Sequence, residues 1–386
     1  MTPTGQKSRR LLVVYDPVGG LYTYRVRGTA FRESLARHGW QVEYFSYRNP
    51  LSPLRRKVAL LSRRFDLVYL LKIPTSHELI RDIHRVSAAR VIFDLTDALW
   101  LPAFQAWGWQ RIDDILAESE AVFCCNRYDE AYARRQNSHV YCLPSYSNVT
   151  RFSEILASAP ARDSNPVVIG WVGSDSTLRS LHHIAPVLER VAELNPNVVL
   201  RVVGCPDAQK LPALRRMKIS LGPAHYDEDA MIREIIGMDM GLFPLVTDEE
   251  EYQIRGTNKA LNYMAGRISA ICHNAGECAT LIADGVSGML ARTPEEWVDK
   301  INLLVRNPDL RREIGFRGYE IVRQRFSREV VADVLEAALQ AVLAQPVPRS
   351  SAAAAWRAVV LRPVWTIRSF LGGLVRKIRS LGQGRK

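Results

Sequence analysis

Three short segments that follow apolar runs are candidates for chemistry, and two of them suit a phosphate or another anion. The first is Gly170-Trp171-Val172-Gly173-Ser174-Asp175-Ser176-Thr177-Leu178-Arg179. A glycine closes the apolar run, three hydroxyls follow, and a cation stands one turn into a helical pattern. Gly173 permits a tight turn. The N–H groups of a helix start, joined by the hydroxyls of Ser174, Ser176 and Thr177, suit a phosphate. Arg179 adds a charge to neutralise it. The same residues also read as a plain helix start, with Ser176 or Thr177 as the N-cap.

The second segment, Arg255-Gly256-Thr257-Asn258-Lys259, opens a helical pattern after the run Met240–Leu245 and an acidic stretch. Cations at a helix N-terminus oppose the helix dipole, so Arg255 and Lys259 favour an anion between them. The alternative is pairing with Glu249, Glu250 and Glu251. The third, Asn274-Ala275-Gly276-Glu277-Cys278, precedes Asp284-Gly285-Val286-Ser287-Gly288. Read alone, both are turns. The six cysteines form no CxxC pair, and no histidines stand with them at zinc spacing. No metal site is expected, and the thiols suit a reducing compartment.

The elements that carry these segments alternate. LLVVYDP, QVEYFSY, DLVYLLK, RVIFDL, AVFCC and HVYCLPS read as strands separated by helical patterns. Small and polar residues around 158–166 read as a linker. The alternation then restarts with VVIGWVG, VVLRVVG, KISLG, MGLFPLV and SAICHN, and closes with three helices ending near Leu343. The fold class expected is α/β, with two Rossmann-like doubly wound domains at 1–157 and 167–345 and a tail at 346–386. In such sheets ligands bind beyond the carboxyl ends of strands, where the candidate segments fall.

The 386 residues are 47% hydrophobic and 24% charged, with a mean hydropathy of −0.11 and no run long enough to span a membrane. Disordered, fibrous and polytopic membrane classes are excluded. The opening MTPTGQKSRRLLVVYDP lacks the longer apolar region of a signal peptide, so a cytoplasmic chain is expected. Of the net charge of +12, nine Lys/Arg without one Asp/Glu lie in the tail. There Val364, Ile367, Leu371, Leu374, Ile378 and Leu381 make one helical stripe, with Arg368, Arg376, Lys377 and Arg379 off it. This reads as an interfacial anchor for an anionic membrane surface; a disordered end and a partner helix are the alternatives. Nucleic acid is not an expected partner. The basic segment Pro53–Arg64 reads as a second lipid-facing element or a solvated helix.

In this order, Ile169–Thr177, Pro244–Asp248, Arg255–Gly266, Gly276-Glu277 and Asp284–Leu290 resemble the second domain of a GT-B glycosyltransferase. More narrowly, they resemble the retaining, glycogen-synthase-like family that builds bacterial surface polysaccharides. Tyr24–Gly28, Tyr69–Lys72 and Phe93–Trp100 resemble the first half more loosely. The resemblance implies a nucleoside-diphosphate sugar as donor, a glycan or lipid-linked acceptor, and no metal or other cofactor. It implies donor contacts from Gly173, Ser174, Thr177, Arg179, Arg255, Gly256 and Lys259. It also marks departures. Ile254 and Asn262 stand where many members carry two glutamates, and Thr96 stands where a histidine is common. Asp97 beside Thr96 is the candidate at the reacting centre. The departures leave open a non-catalytic binding or scaffold protein of a membrane-associated glycan-assembly complex.

Overall fold

A computed structural model describes residues 9–346, apart from 18–22, 48–51, 75, 161–164, 206, 208–209, 212–213, 224–226, 247–253 and 255. The tail 347–386, Arg255 and the acidic stretch at 247–251 lie outside the described residues.

The apolar runs form two six-stranded parallel sheets. The first contains β1 (Arg9–Tyr15), β2 (Trp40–Ser46), β3 (Leu67–Leu71), β4 (Arg90–Leu95), β5 (Ala121–Cys124) and β6 (Val140–Cys142), in the order β2-β1-β3-β4-β5-β6. The second contains β7 (Val167–Val172), β8 (Val198–Val203), β9 (Lys218–Leu221), β10 (Met240–Phe243), β11 (Ser269–His273) and β12 (Met289–Ala291), in the order β12-β11-β10-β7-β8-β9. In each sheet the first strand is flanked by neighbours reached in opposite directions. The strand order therefore reverses between β1 and β3 and between β7 and β10. A crevice opens at each reversal beyond the carboxyl ends.

Helices cover both faces, which is why the central strands are apolar throughout. In the first sheet, Leu12, Val14, Val68 and Leu70 face α2 (Ser52–Ser62), α3 (Ser76–Val86) and α4 (Ile112–Glu118). The alternate residues Leu11, Val13, Leu67 and Tyr69 face α1 (Arg32–Arg37) and the last helix. Beyond β5 comes α5 (Arg127–Ala133), and beyond β6 comes α6 (Val149–Ser158). The second sheet is covered by α7 (Arg179–His183), α8 (Ala185–Leu194), α9 (Glu228–Ile236), α10 (Asn258–Ala265), α11 (Cys278–Leu281), α12 (Pro294–Arg306) and α13 (Pro308–Arg325). The described part of the chain closes with α14 (Arg328–Ala344). The basic segment in the first half is thus a helix, α2.

Two helices depart from the linear division read from the sequence. Val149, Phe152 and Ile155 of α6, assigned with the first half, pack in the second unit's core with Ile232 and Met264. Val331, Leu335, Leu339 and Val342 of α14, assigned with the second half, pack against Leu11 and Tyr69 of the first sheet. Glu336 fixes that crossing through Arg9 at 3.3 Å. The helix ending near Leu343 was read from the sequence and α6 was not, and a helical pattern does not name the sheet that covers it.

Candidate active site

The β7–β10 ladder pairs Ile169 with Met240 and Gly170 with Gly241. Past that point the Tyr263 hydroxyl on α10 bridges the strands. It accepts from the Val172 N–H at 3.0 Å and donates to the Leu242 carbonyl at 3.2 Å. Burial pushes this phenol up, so it remains a donor. A Cβ at Gly241 would stand 2.4 Å from the Tyr263 ring, so only glycine lets the ring lie on the strand.

Beyond β7, Gly173 is equally constrained. A Cβ there would meet Trp171 at 2.3 Å and the Thr177 hydroxyl at 2.6 Å. Gly204, at the end of β8, has φ +89°, and a Cβ on it would reach the Gly173 carbonyl at 2.2 Å. The two strand-end turns therefore touch through bare backbone. Ser174 caps a single 3-10 turn, Asp175–Thr177, and Leu178 stands between that turn and α7, so neither Ser176 nor Thr177 is the N-cap. Thr177 Oγ1 accepts from the Ser174 N–H at 3.2 Å and donates to the Ser174 carbonyl at 3.0 Å. Lys259, in the first turn of α10, donates to the same hydroxyl at 3.2 Å and lies 4.6 Å from the Trp171 ring centre. Gly173, Ser174, Thr177 and Lys259 are thus brought together at the strand reversal. Arg179 opens α7 and is exposed.

Between the two units lies a cavity of about 160 Å³. Arg27, Thr96 and Asp97 line it from the first unit; Gly256, Asn258 and Asn262 line it from the second. Asp97 and Gly256 therefore face a common space. Asp97 is ion-paired with Lys72, at the carboxyl end of β3. Behind them, Arg27 Nε donates to Asp94 at 3.0 Å and its Nη1 to the Leu143 carbonyl at 2.6 Å. The Tyr69 hydroxyl also donates to Asp94. Burial raises the Tyr69 phenol well above its ordinary value, which keeps it a donor.

The substituted positions have their own partners. Asn262 Oδ1 accepts from Ser147 at 2.8 Å. Ile254 is buried, and its carbonyl accepts from Asn126 Nδ2 at 3.3 Å. Asn126 also caps α5 through the N–H groups of Tyr128 and Asp129. It therefore ties the first unit to the segment that leads into Gly256. Beside it, burial pushes the Asp129 carboxyl up to about 8 and holds the Cys125 thiol well above its usual range. Cys125 is therefore a thiol donor to Asp129, at 3.3 Å, and no nucleophile.

The individual roles of Lys72, Arg27 and Asn126 and the bridging role of Tyr263 escaped the sequence reading, although Lys72 and Arg27 lie in the segments Tyr69–Lys72 and Tyr24–Gly28 that carry the looser resemblance. Lys72 and Asn126 had a signal, since each stands at the end of an apolar run. The pairing of Arg27 with Asp94 had none, because the two lie 67 residues apart. Among the described residues no group of three or more His, Cys, Asp or Glu is placed to hold a metal ion.

A family model described as Glycosyl transferases group 1 matches residues 166–307. That segment is a glycosyltransferase group 1 domain. Solved structures share the fold over most of the chain. HepE of Anabaena, solved in complex with UDP-glucose, is 16% identical with a TM-score of 0.62, covering 86% of this chain and 99% of its own. Sucrose-phosphate synthase from Thermosynechococcus elongatus is 14% identical with a TM-score of 0.65, covering 87% and 99%. A glycosyltransferase from Rickettsia africae is 11% identical with a TM-score of 0.62, covering 88% and 100%. No curated protein sequence matches the chain. The two sheets facing a shared cavity make this the GT-B architecture. The group 1 domain holds the whole cluster of Gly173, Ser174, Thr177 and Lys259.

Proposed function

We propose that the protein transfers a sugar from a UDP-sugar to a glycan or lipid-linked acceptor in cell-envelope polysaccharide synthesis, and that it needs no metal to do so. The observation that carries this reading is the convergence of Lys259 and the Ser174–Thr177 turn beyond β7, at the reversal of strand order. In this reading Lys259, Arg179 and Arg255 neutralise the diphosphate as it leaves. The Gly173 turn lets the backbone approach it closely. Charge grows on the leaving group in the transition state, so fixed cations and N–H groups stabilise that state more than the bound donor. Asp97 faces the reacting centre from the opposite unit. Retention of anomeric configuration belongs to the same reading and follows only from the resemblance. HepE, solved with UDP and UDP-glucose, supports a uridine diphosphate donor.

Thermal unfolding of the full chain with UDP, GDP, ADP or dTDP, without added metal, tests the donor site. A ligand at 100 times its dissociation constant adds about 2.7 kcal/mol of apparent stability. A shift with UDP that Lys259→Ala weakens by about ten- to a hundredfold in affinity is expected, since a hydrogen bond to a charged group contributes about 1.5–3 kcal/mol. No shift with any nucleotide would sink the reading.

We also propose that the protein works against an anionic membrane face. The basic stripe of the tail supports this. So does α2, whose Arg56, Lys57 and Leu60 are exposed and continue into exposed Arg63 and Arg64. No described helix is long and apolar enough to cross a membrane. Deleting 346–386 is expected to reduce sedimentation with phosphatidylglycerol vesicles while UDP binding persists. Unchanged sedimentation would remove the anchor.

A further inference from the structure

Lys72 has a backbone that its residue type rarely adopts. Its φ is +49°, in the left-handed region, one residue past the end of β3. A lysine gains nothing locally from that conformation, and such strain persists where the surroundings hold it for another purpose. Here it directs the ammonium to Asp97, with the Phe104 ring centre 5.7 Å away. The side chains of Lys72 and Asp97 are 21% and 44% exposed, so the pair is open to a ligand on one side.

The loop after β4 builds the rest of a shelf. Backbone bonds Leu99 to Asp97, Leu101 to Ala98 and Phe104 to Leu101 wind it tightly, at 2.7–2.9 Å. Gln105 Nε2 holds the Trp100 carbonyl at 3.2 Å. The half-buried Trp100 ring is fixed by stacking on Tyr132, with centroids 4.1 Å apart and planes 9° apart. Tyr132 is anchored in turn by its hydroxyl, which donates to Asp113 at 2.6 Å. At the inner end, Thr96 and Asp97 line the cavity between the units, and Thr96 Oγ1 is buried without a protein partner.

We propose that Lys72, Asp97, Trp100 and Phe104 form a subsite for an uncharged sugar ring of the acceptor. The acceptor end presented to the donor is then a glycan hydroxyl and not a lipid phosphate. This rests on the glycosyltransferase reading above and names the acceptor class for it. The chemistry is that of a pyranose. Its C–H face is apolar and packs on aromatic rings, while its rim hydroxyls both donate and accept. A carboxylate beside an ammonium offers both partners as charge-assisted bonds. The charges also argue against a phosphate: Lys72 is matched by Asp97, and Arg27 by Asp94. A phosphate on the shelf would stand against a carboxylate.

Saturation-transfer NMR on the full chain in the presence of UDP tests this. The probes are the methyl glycosides of glucose, galactose, mannose and N-acetylglucosamine, with glucose 1-phosphate as the charged counterpart. At least one methyl glycoside is expected to bind, and to bind about tenfold more weakly in Trp100→Ala and in Lys72→Met, with UDP signals retained in both. Trp100→Phe stands in if the alanine variant does not fold. The proposal is overturned if UDP binds but no methyl glycoside does. It is also overturned if both variants bind glycosides like the parent, or if glucose 1-phosphate alone binds. Loss of UDP binding in the unaltered chain would instead strike the donor site, and the glycoside arm would still judge the shelf.

Discussion

Asp129 is a carboxyl group held where a carboxylate is unfavourable. It is fully buried and accepts from Asn126 Nδ2 at 2.7 Å, and burial pushes its pKa up to about 8 from an ordinary value of 3.8. Between those two values the folded chain keeps a proton that the unfolded chain has lost. The contribution of Asp129 to stability is therefore full below about pH 4 and declines as the pH rises through 8. Asparagine mimics the protonated form and has no such decline. Asp129→Asn is expected to become more stable relative to the parent as the pH rises from about 5 to 9, by an amount on the order of a few kcal/mol. Urea unfolding of both chains across that range checks it; a constant difference would show that Asp129 does not titrate there. His273 moves stability the other way. Burial drops its imidazole to about 4, so protonation of the unfolded chain below about pH 6.5 erodes stability on the acid side. Little of this was legible in the sequence. Gly173, Thr177 and Lys259 announce themselves by type and by place after a strand, whereas a carboxyl becomes a buried acid only through the side chains packed over it.

At the scale of elements, the donor cluster depends on two strand ends held apart and a turn with no room for a side chain. Tyr263→Phe removes the hydroxyl that serves Val172 and Leu242 and leaves two buried backbone groups without that partner. A loss of about 1–3 kcal/mol is expected, with weaker UDP binding, because β7 carries the Gly173 turn. Unchanged UDP affinity would show that the bridge matters for stability alone. Gly204→Ala combines a left-handed φ with a 2.2 Å approach to the Gly173 carbonyl. It is expected to cost more than the roughly 1 kcal/mol of an ordinary glycine replacement and to displace the Ser174 cap. A differential scan with and without UDP reads both effects. The strands, their doubly wound class and the place of these turns were legible, because parallel strands buried on both faces write continuous apolar runs. The bridge was not, since Tyr263 reads as one more apolar position on α10.

At the scale of the molecule, each core borrows a helix from the far side of the other. Leu339 on α14 is fully buried against the first sheet. Leu339→Ala is expected to cost about 2–5 kcal/mol and to raise hydrogen exchange in β1 and β3 more than in β7 and β10. The reverse pattern would place the helix with the second unit. The sequence pattern showed α14 as a helix and left α6 unread. The partner sheet was set by the path of the chain between units, and no local pattern encodes that path.

The exchange of helices also bears on how the molecule is made. Strands β1 to β6 leave the ribosome first, yet one face of their sheet has only α1 over part of it until residues 328–344 emerge. Until then Leu11, Val13, Leu67 and Tyr69 have no α14 to cover them, and α6 is waiting for a sheet not yet translated. Vectorial synthesis therefore cannot finish the first unit before the second. Nascent chains halted before residue 328 should be far more sensitive to protease in their first 150 residues than chains halted after the tail has cleared the exit tunnel.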